Sequence, residues 1–167
     1  GAISCDTLAL AAGVEKEGQE IVLDRLRPCL KTFIETNAAD ARARAGKPIG
    51  PLDGAVITIK DLFDVAGEVT RAGSAMLLKR SRPASSDAPT VRRLRDAGAV
   101  IVAKTNMTEF AFSGVGANPH FGTPGNPAAR KRIPGGSSSG GAVACADGIG
   151  EITIGTDTGG STRIPAA

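Results

Sequence analysis

The chain has 167 residues, enough for one domain with its own core. Hydrophobic residues make up 41% and charged residues 22%, the balance of a soluble globular protein, and a net charge of +3 is mild for a nucleic-acid binder. Neither Trp nor Tyr occurs, which argues against an aromatic stacking surface for single strands.

Residues 18–45 read as one or two helices. Ile21, Leu23, Leu26, Leu30, Phe33 and Ile34 recur at helical spacing, the alanine-rich run 38–45 favours helix, and Pro28 marks a start or a kink. Residues 46–54 are a loop by composition, and the β-branched run at 55–59 predicts a buried strand followed by Lys60-Asp61. Residues 86–98 predict a capped helix, with Asp87 as cap, Pro89 in the first turn and Gly98 at the exit. A second buried strand follows at 99–103. The Gly-, Pro- and Asn-rich stretch 113–136 is a long loop, of the kind that usually carries function. Residues 140–146 predict a helix of small residues, and 151–154 a third strand that runs into GTDTGGSTRIP at 155–165. Strands alternating with helices give an α/β fold with a largely parallel or mixed sheet. Three strands leave open sheet edges, so the chain reads as the first part of a larger domain.

The basic residues Lys79, Arg80, Arg82, Arg92, Arg93 and Arg95 read as a solvated helix face, and no nucleic-acid partner is expected. Cys5, Cys29 and Cys145 lack C-x-x-C spacing, and one histidine, His120, completes no zinc set, so neither a metal nor another cofactor is expected. Free thiols fit a reducing compartment, taken as the cytoplasm. No signal peptide and no membrane-spanning stretch is expected.

Chemistry concentrates at three places. Lys60 lies at a strand end, where ligands of open α/β sheets gather, and its apolar approach suggests partial burial. A buried lysine releases its proton more readily and can act as a base; pairing with Asp61 or Asp64, or reaching water, is the plainer alternative. The run GSSSG at 136–140 matches a nucleophile elbow centred on Ser138, but no strand precedes it and no histidine follows. A phosphate-cradling loop is the other reading, without the lysine that pattern requires. In TGGS at 158–161, glycines let successive N–H groups converge on an anion, so Ser161 could attack a carbonyl whose oxyanion those groups hold. A plain Gly-Gly turn is the alternative. Where histidine is missing, a lysine can serve as the base of a serine nucleophile.

Over residues 50–167, PLDGAVITIKDLFDVAG, DAGAVIVAKTNMTEFAFSG, PGGSSSGG and GTDTGGSTRIPAA follow one another in the order of the blocks of the amidase signature family, which this sequence resembles. The resemblance implies a mixed central sheet flanked by helices, incomplete here, with residues 1–48 as a helical lead-in to one domain. It implies a triad of Ser161 as nucleophile, Ser137 as a serine after a cis Gly136–Ser137 bond, and Lys60 as base. It further implies an oxyanion hole from the N–H groups of Thr158, Gly159, Gly160 and Ser161. Ser138, Asp157 and Arg163 match supporting positions, and Ser113 and Gly114 the substrate side. Thr162 stands where the family commonly carries an aliphatic residue, and family members are much longer than this chain.

The expected activity is hydrolysis of a linear carboxylic amide to an acid plus ammonia or amine. A glutaminase component feeding ammonia to a partner is one alternative, and a non-catalytic anion-binding domain is another. A small amide is the expected partner, with the rest of the domain or a second chain; a homodimer stays open.

Overall fold

The structure, a computed structural model, describes residues 19–167. Helix α1 (Gln19–Arg44) is a single 26-residue helix. It runs through Pro28, so that residue does not start it. Strand β1 (Val56–Lys60) follows, then α2 (Ala75–Arg80), α3 (Pro89–Asp96), β2 (Val100–Thr105), a 3-10 turn (Glu109–Ala111), α4 (Ser139–Ala146), β3 (Ile152–Ile154) and α5 (Arg163–Ala166).

The three strands form a sheet of order β2-β1-β3, and both pairings are parallel. The α/β class read from the sequence therefore holds. β1 is central and its residues from Ile57 to Lys60 are buried. Alternation along a strand sends its side chains to opposite faces. Ile57 and Ile59 share one face, and Ile59 packs with Val65, Val91 of α3 and Ile101 of β2. Each such side chain contributes roughly 1.5–3 kcal/mol by leaving water. Thr58 and Lys60 share the other face. There the Thr58 hydroxyl donates to Thr153 Oγ1 of β3 (3.0 Å), and α4 packs over them.

The helix α4 comes this close because of its glycines. A Cβ on Gly140 would lie 2.6 Å from the Asn106 backbone nitrogen, and one on Gly141 2.4 Å from Thr153 Oγ1. The run that read as a small-residue helix is thus a close-packed layer on the polar face of the sheet.

The β1–β2 register shifts between Ile57 and Thr58. Ile57 pairs with Ile101, but Thr58 pairs with Ala103, so Val102 is an extra residue in β2. Beyond it Lys60 pairs with Thr105.

One local expectation is corrected, and one helix was not expected. Asp87 does not cap α3: the N-cap is Ala88, with no side-chain cap bond. The Asp87 carboxylate instead accepts the Ala66 N–H (2.7 Å) and pairs with Arg95 (3.2 Å), two partners that a capping pose would forfeit. Helix α2 lies in a stretch with no sequence expectation of helix. No helix among the described residues is long and apolar enough to cross a membrane.

Candidate active site

Lys60 closes β1 rather than following it, and it is fully buried. Its Nζ donates to Ser137 Oγ (2.7 Å) and to Thr156 Oγ1 (2.7 Å). The plainer alternatives for this lysine are not realised. Asp61 pairs with Lys104 (2.8 Å), and Asp64 accepts from Thr70 Oγ1 (2.7 Å). Burial pushes the Lys60 amine down to about 8 from 10.5, against a smaller opposing pull from the Asp157 carboxylate. That shift corresponds to about 3 kcal/mol of disfavoured charge.

The serines come from the turn into α4. The Gly136–Ser137 peptide is cis, as the family resemblance implied. Ser137 and Ser139 are fully buried and Ser138 nearly so. The segment is held through its backbone: Gly136 N–H donates to the Gly114 carbonyl (2.8 Å), and the Ser137 carbonyl accepts from Thr108 N–H (3.1 Å). Ser138 N–H donates to the Ser161 carbonyl (3.0 Å), and its hydroxyl reaches the Thr156 carbonyl (3.4 Å). Ser138 thus links the α4 turn to the glycine loop. Its neighbour Gly155 leaves no room for a side chain, since a Cβ would lie 2.6 Å from Ser138 Oγ and 2.9 Å from Thr162 Oγ1.

The glycine loop 155–162 is organised by Asp157. Its carboxylate accepts the N–H groups of Gly160 (2.8 Å), Thr162 (3.2 Å) and Arg163 (3.1 Å). It also accepts the Arg163 guanidinium through Nε and Nη2, both at 3.0 Å. The Arg163 guanidinium and these backbone donors hold the Asp157 carboxyl far below the usual carboxylate range. Gly160 N–H is therefore spoken for. Of the four expected oxyanion donors, those of Thr158, Gly159 and Ser161 have no protein acceptor among the described residues.

Thr156, Thr158, Gly159 and Ser161 line one side of a cleft of about 310 Å³. The segment from Phe110 to Gly114 lines the other, so Ser113 and Gly114 lie where the substrate side was expected. Phe110 and Ala111 sit at φ of 51° and 58°, a left-handed conformation costly for residues with side chains. Ser161 enters the cleft from the loop; no hydrogen bond joins its hydroxyl to Ser137 among the described residues. His120 faces Glu109 (3.3 Å) and contacts none of the three serines by hydrogen bond.

Thr156 is the residue that the sequence reading missed. Its signal was available, one position before the Asp157 of GTDTGGS, but only the fold reveals that it shares Lys60 with Ser137.

Comparison with known proteins matches residues 25–167 to the amidase family. The chain belongs to the amidase family. Among amidase-family relatives, Amidase 1 of Arabidopsis thaliana is 47% identical over 135 residues, 81% of this chain and 32% of that protein. The glutamyl-tRNA(Gln) amidotransferase component of Acidothermus cellulolyticus is 41% identical, over 95% of this chain and 34% of that protein. The native peptide amidase of Stenotrophomonas maltophilia superposes with a TM-score of 0.73 at 40% identity, over 87% of this amidase-family chain and 32% of that one. The chain thus spans about a third of the length of these relatives.

Proposed function

We propose that the protein carrying this chain is an amidohydrolase that cleaves a linear carboxylic amide to the acid and ammonia or an amine. The observation that carries this reading is the fully buried Lys60 Nζ held 2.7 Å from the Ser137 hydroxyl. A lysine that titrates near 8 has a substantial neutral fraction at physiological pH, and a base needs that neutral form.

In the proposed cycle, neutral Lys60 takes a proton from Ser137 as Ser137 takes one from Ser161. Ser161 Oγ bonds to the amide carbon, and the carbonyl electron pair moves onto oxygen. The N–H groups of Thr158, Gly159 and Ser161 face that charge. Such donors act before the reaction begins, and losing one typically costs ~10²–10³ in rate. Ser137 then protonates the leaving nitrogen as the C–N bond breaks, with Lys60 restoring its proton. Water attacks the ester by the same relay and frees Ser161. No step calls for a metal or cofactor. The cycle requires a Ser137–Ser161 contact that forms with substrate in place, as catalytic hydrogen bonds often do.

A second reading has one specific support. The amidotransferase relative aligns over 95% of the chain, so a glutaminase passing ammonia to a partner fits the same chemistry. A non-catalytic anion-binding domain leaves the buried Lys60–Ser137 pair without a purpose.

The test is a fluorophosphonate probe with peptide mapping on the full protein, followed by turnover of simple amides and of glutamine. An adduct on Ser161 that is absent in Ser161→Ala, with turnover of simple amides, supports the hydrolase. Glutamine turnover raised by an added partner supports the second reading. A full-length protein labelled at Ser138, or not at all, overturns both.

A further inference from the structure

Outside the Ser161 cleft, a second cavity of about 150 Å³ opens at the carboxyl ends of β1 and β2. Asp61, Lys104 and Asn106 lie on its walls, with Met107 fully buried beside them and Arg71 and Phe121 at its lining. The polar groups of the interior are almost all consumed. Lys104 Nζ gives its hydrogens to Asp61 (2.8 Å), Thr70 Oγ1 (3.0 Å) and the Val69 carbonyl (3.3 Å). Asn106 donates to the Gly122 carbonyl (2.7 Å) and accepts from Met107 N–H (2.8 Å).

Arg71 is different. Its guanidinium has no carboxylate or carbonyl partner among the described residues, and it lies over the Phe121 ring at 5.8 Å from the centroid. A guanidinium stacked on a ring keeps its N–H edge free and loses conformational freedom before any ligand arrives. The backbone around it is fixed. Ala72 is held at φ of 49°, with its N–H on the Asp61 carbonyl (2.9 Å) and its carbonyl taking Phe110 N–H (2.8 Å). The charges facing the cavity are Arg71, Lys104 and Asp61, which leave one net positive charge. The adjoining Glu109 and His120 face each other (3.3 Å).

We propose that this cavity binds a small oxyanion, carboxylate or phosphate, through the free edge of Arg71. A planar fork suits either group, and the cavity is sized for a headgroup rather than a whole cofactor. The site differs from the Ser161 cleft in every lining residue, and it does not depend on the amidase chemistry. It has one covalent neighbour in common with that chemistry, because Asp61 follows Lys60. Its far wall also touches the serine turn: the Asn106 carbonyl accepts the Gly140 N–H (2.9 Å) at the start of α4.

The experiment is calorimetric titration of the full protein with sodium phosphate and, separately, sodium acetate at constant ionic strength. Arg71→Gln, Arg71→Lys and Phe121→Leu are titrated alongside. Saturable binding is expected for at least one anion, weakened about ten-fold or more in Arg71→Gln and less in Arg71→Lys. Phe121→Leu weakens it several-fold, because the platform is lost while the charge stays. Preference for acetate identifies a carboxylate ligand, and preference for phosphate a phosphoryl one. Arg71 is solvent-exposed, and circular dichroism checks that its variants fold. No saturable heat with either anion, or equal affinity in Arg71→Gln, overturns the proposal. Probe labelling of Ser161 is read separately, so failure here leaves the amidase reading standing, and the reverse also holds.

Discussion

Lys60 and Ser137 lie 77 positions apart in the chain, yet their side chains meet at 2.7 Å and neither is reached by solvent. One comes from the end of a central strand and the other from the turn into a glycine-rich helix. The strand's two-residue alternation points the lysine at that helix, and the glycines bring the helix down onto it.

Replacing Lys60 by methionine keeps the volume and removes the amine. Turnover of an amide is expected to fall by about 10²–10⁴-fold, the typical worth of a positioned base. The fold is expected to survive. Losing a disfavoured buried charge offsets the cost of leaving the Ser137 and Thr156 hydroxyls without their donor, roughly 1–3 kcal/mol for each buried group. Steady-state kinetics beside a urea melt checks both halves. Full turnover in Lys60→Met would sink the proposed mechanism.

The pH dependence follows from the same amine. Only neutral Lys60 can accept a proton, so kcat/KM is expected to drop on the acid side with a midpoint near 8, tenfold per pH unit beyond it. Stability moves in the same direction. The folded value of about 8 lies below the unfolded 10.5, so the unfolded chain binds the extra proton between those limits. The penalty of about 3 kcal/mol is fully present below 8 and is relieved as pH rises to 10.5. Denaturant midpoints of wild type and Lys60→Met across pH 7–10.5 separate this contribution from the other titrating groups.

Thr156→Val removes the second acceptor of the Lys60 ammonium (2.7 Å). A hydrogen bond to the charged form favours that form, so its loss moves the lysine further down. The acid limb of kcat/KM is expected to shift to lower pH, with a several-fold loss in kcat. A residue serving only to fill space would leave the limb where it is. Restoring the hydroxyl as Thr156→Ser is expected to return it.

Asp157→Asn tests the brace of the glycine loop. The carboxylate holds three backbone N–H groups and the Arg163 guanidinium, and its negative charge pulls the Lys60 value upward. The variant is expected to lower kcat strongly and move the acid limb downward. In the wild type this brace is fully present above the ordinary carboxyl value of 3.8. It fades only as pH falls through the much lower folded value, so loop protection from proteolysis is expected to hold down to mildly acidic pH.

Gly140→Ala tests the packing of α4. The added Cβ would lie 2.6 Å from one backbone atom of Asn106 and 2.7 Å from another, neither of which can swing aside. The expected cost is about 1–3 kcal/mol in a thermal or urea melt.

The strands were legible because β-branched runs at 55–59, 99–103 and 151–154 carry their own preference for extended backbone. The candidate site was legible because its residues sit in short motifs with unusual glycine content. What escaped the sequence depends on partners far along the chain. Asp87 has the composition of a cap, but Arg95 and Ala66 outcompete the helix for its carboxylate. Helix α2 is six residues long and has no buried residue, so nothing in its sequence announced it. The Gly160 amide looked free in the motif, and the Asp157 side chain three positions earlier claims it. Lys60's burial could be suspected from its approach, but its choice of Ser137 and Thr156 over Asp61 needed the sheet.

The extra residue in β2 sets the reading frame of the strand. With Val102 left out of the pairing, Thr105 lies beside Lys60; were every residue after Ile101 paired in turn, Lys104 would take that position. A second cation would then neighbour the buried amine, and Asp61 would lose its partner. Deleting Val102 therefore removes the bulge and leaves Thr105 opposite Lys60. The neutral neighbour of Lys60 is kept, so amide turnover in Val102-deleted protein that still melts cooperatively is expected to persist.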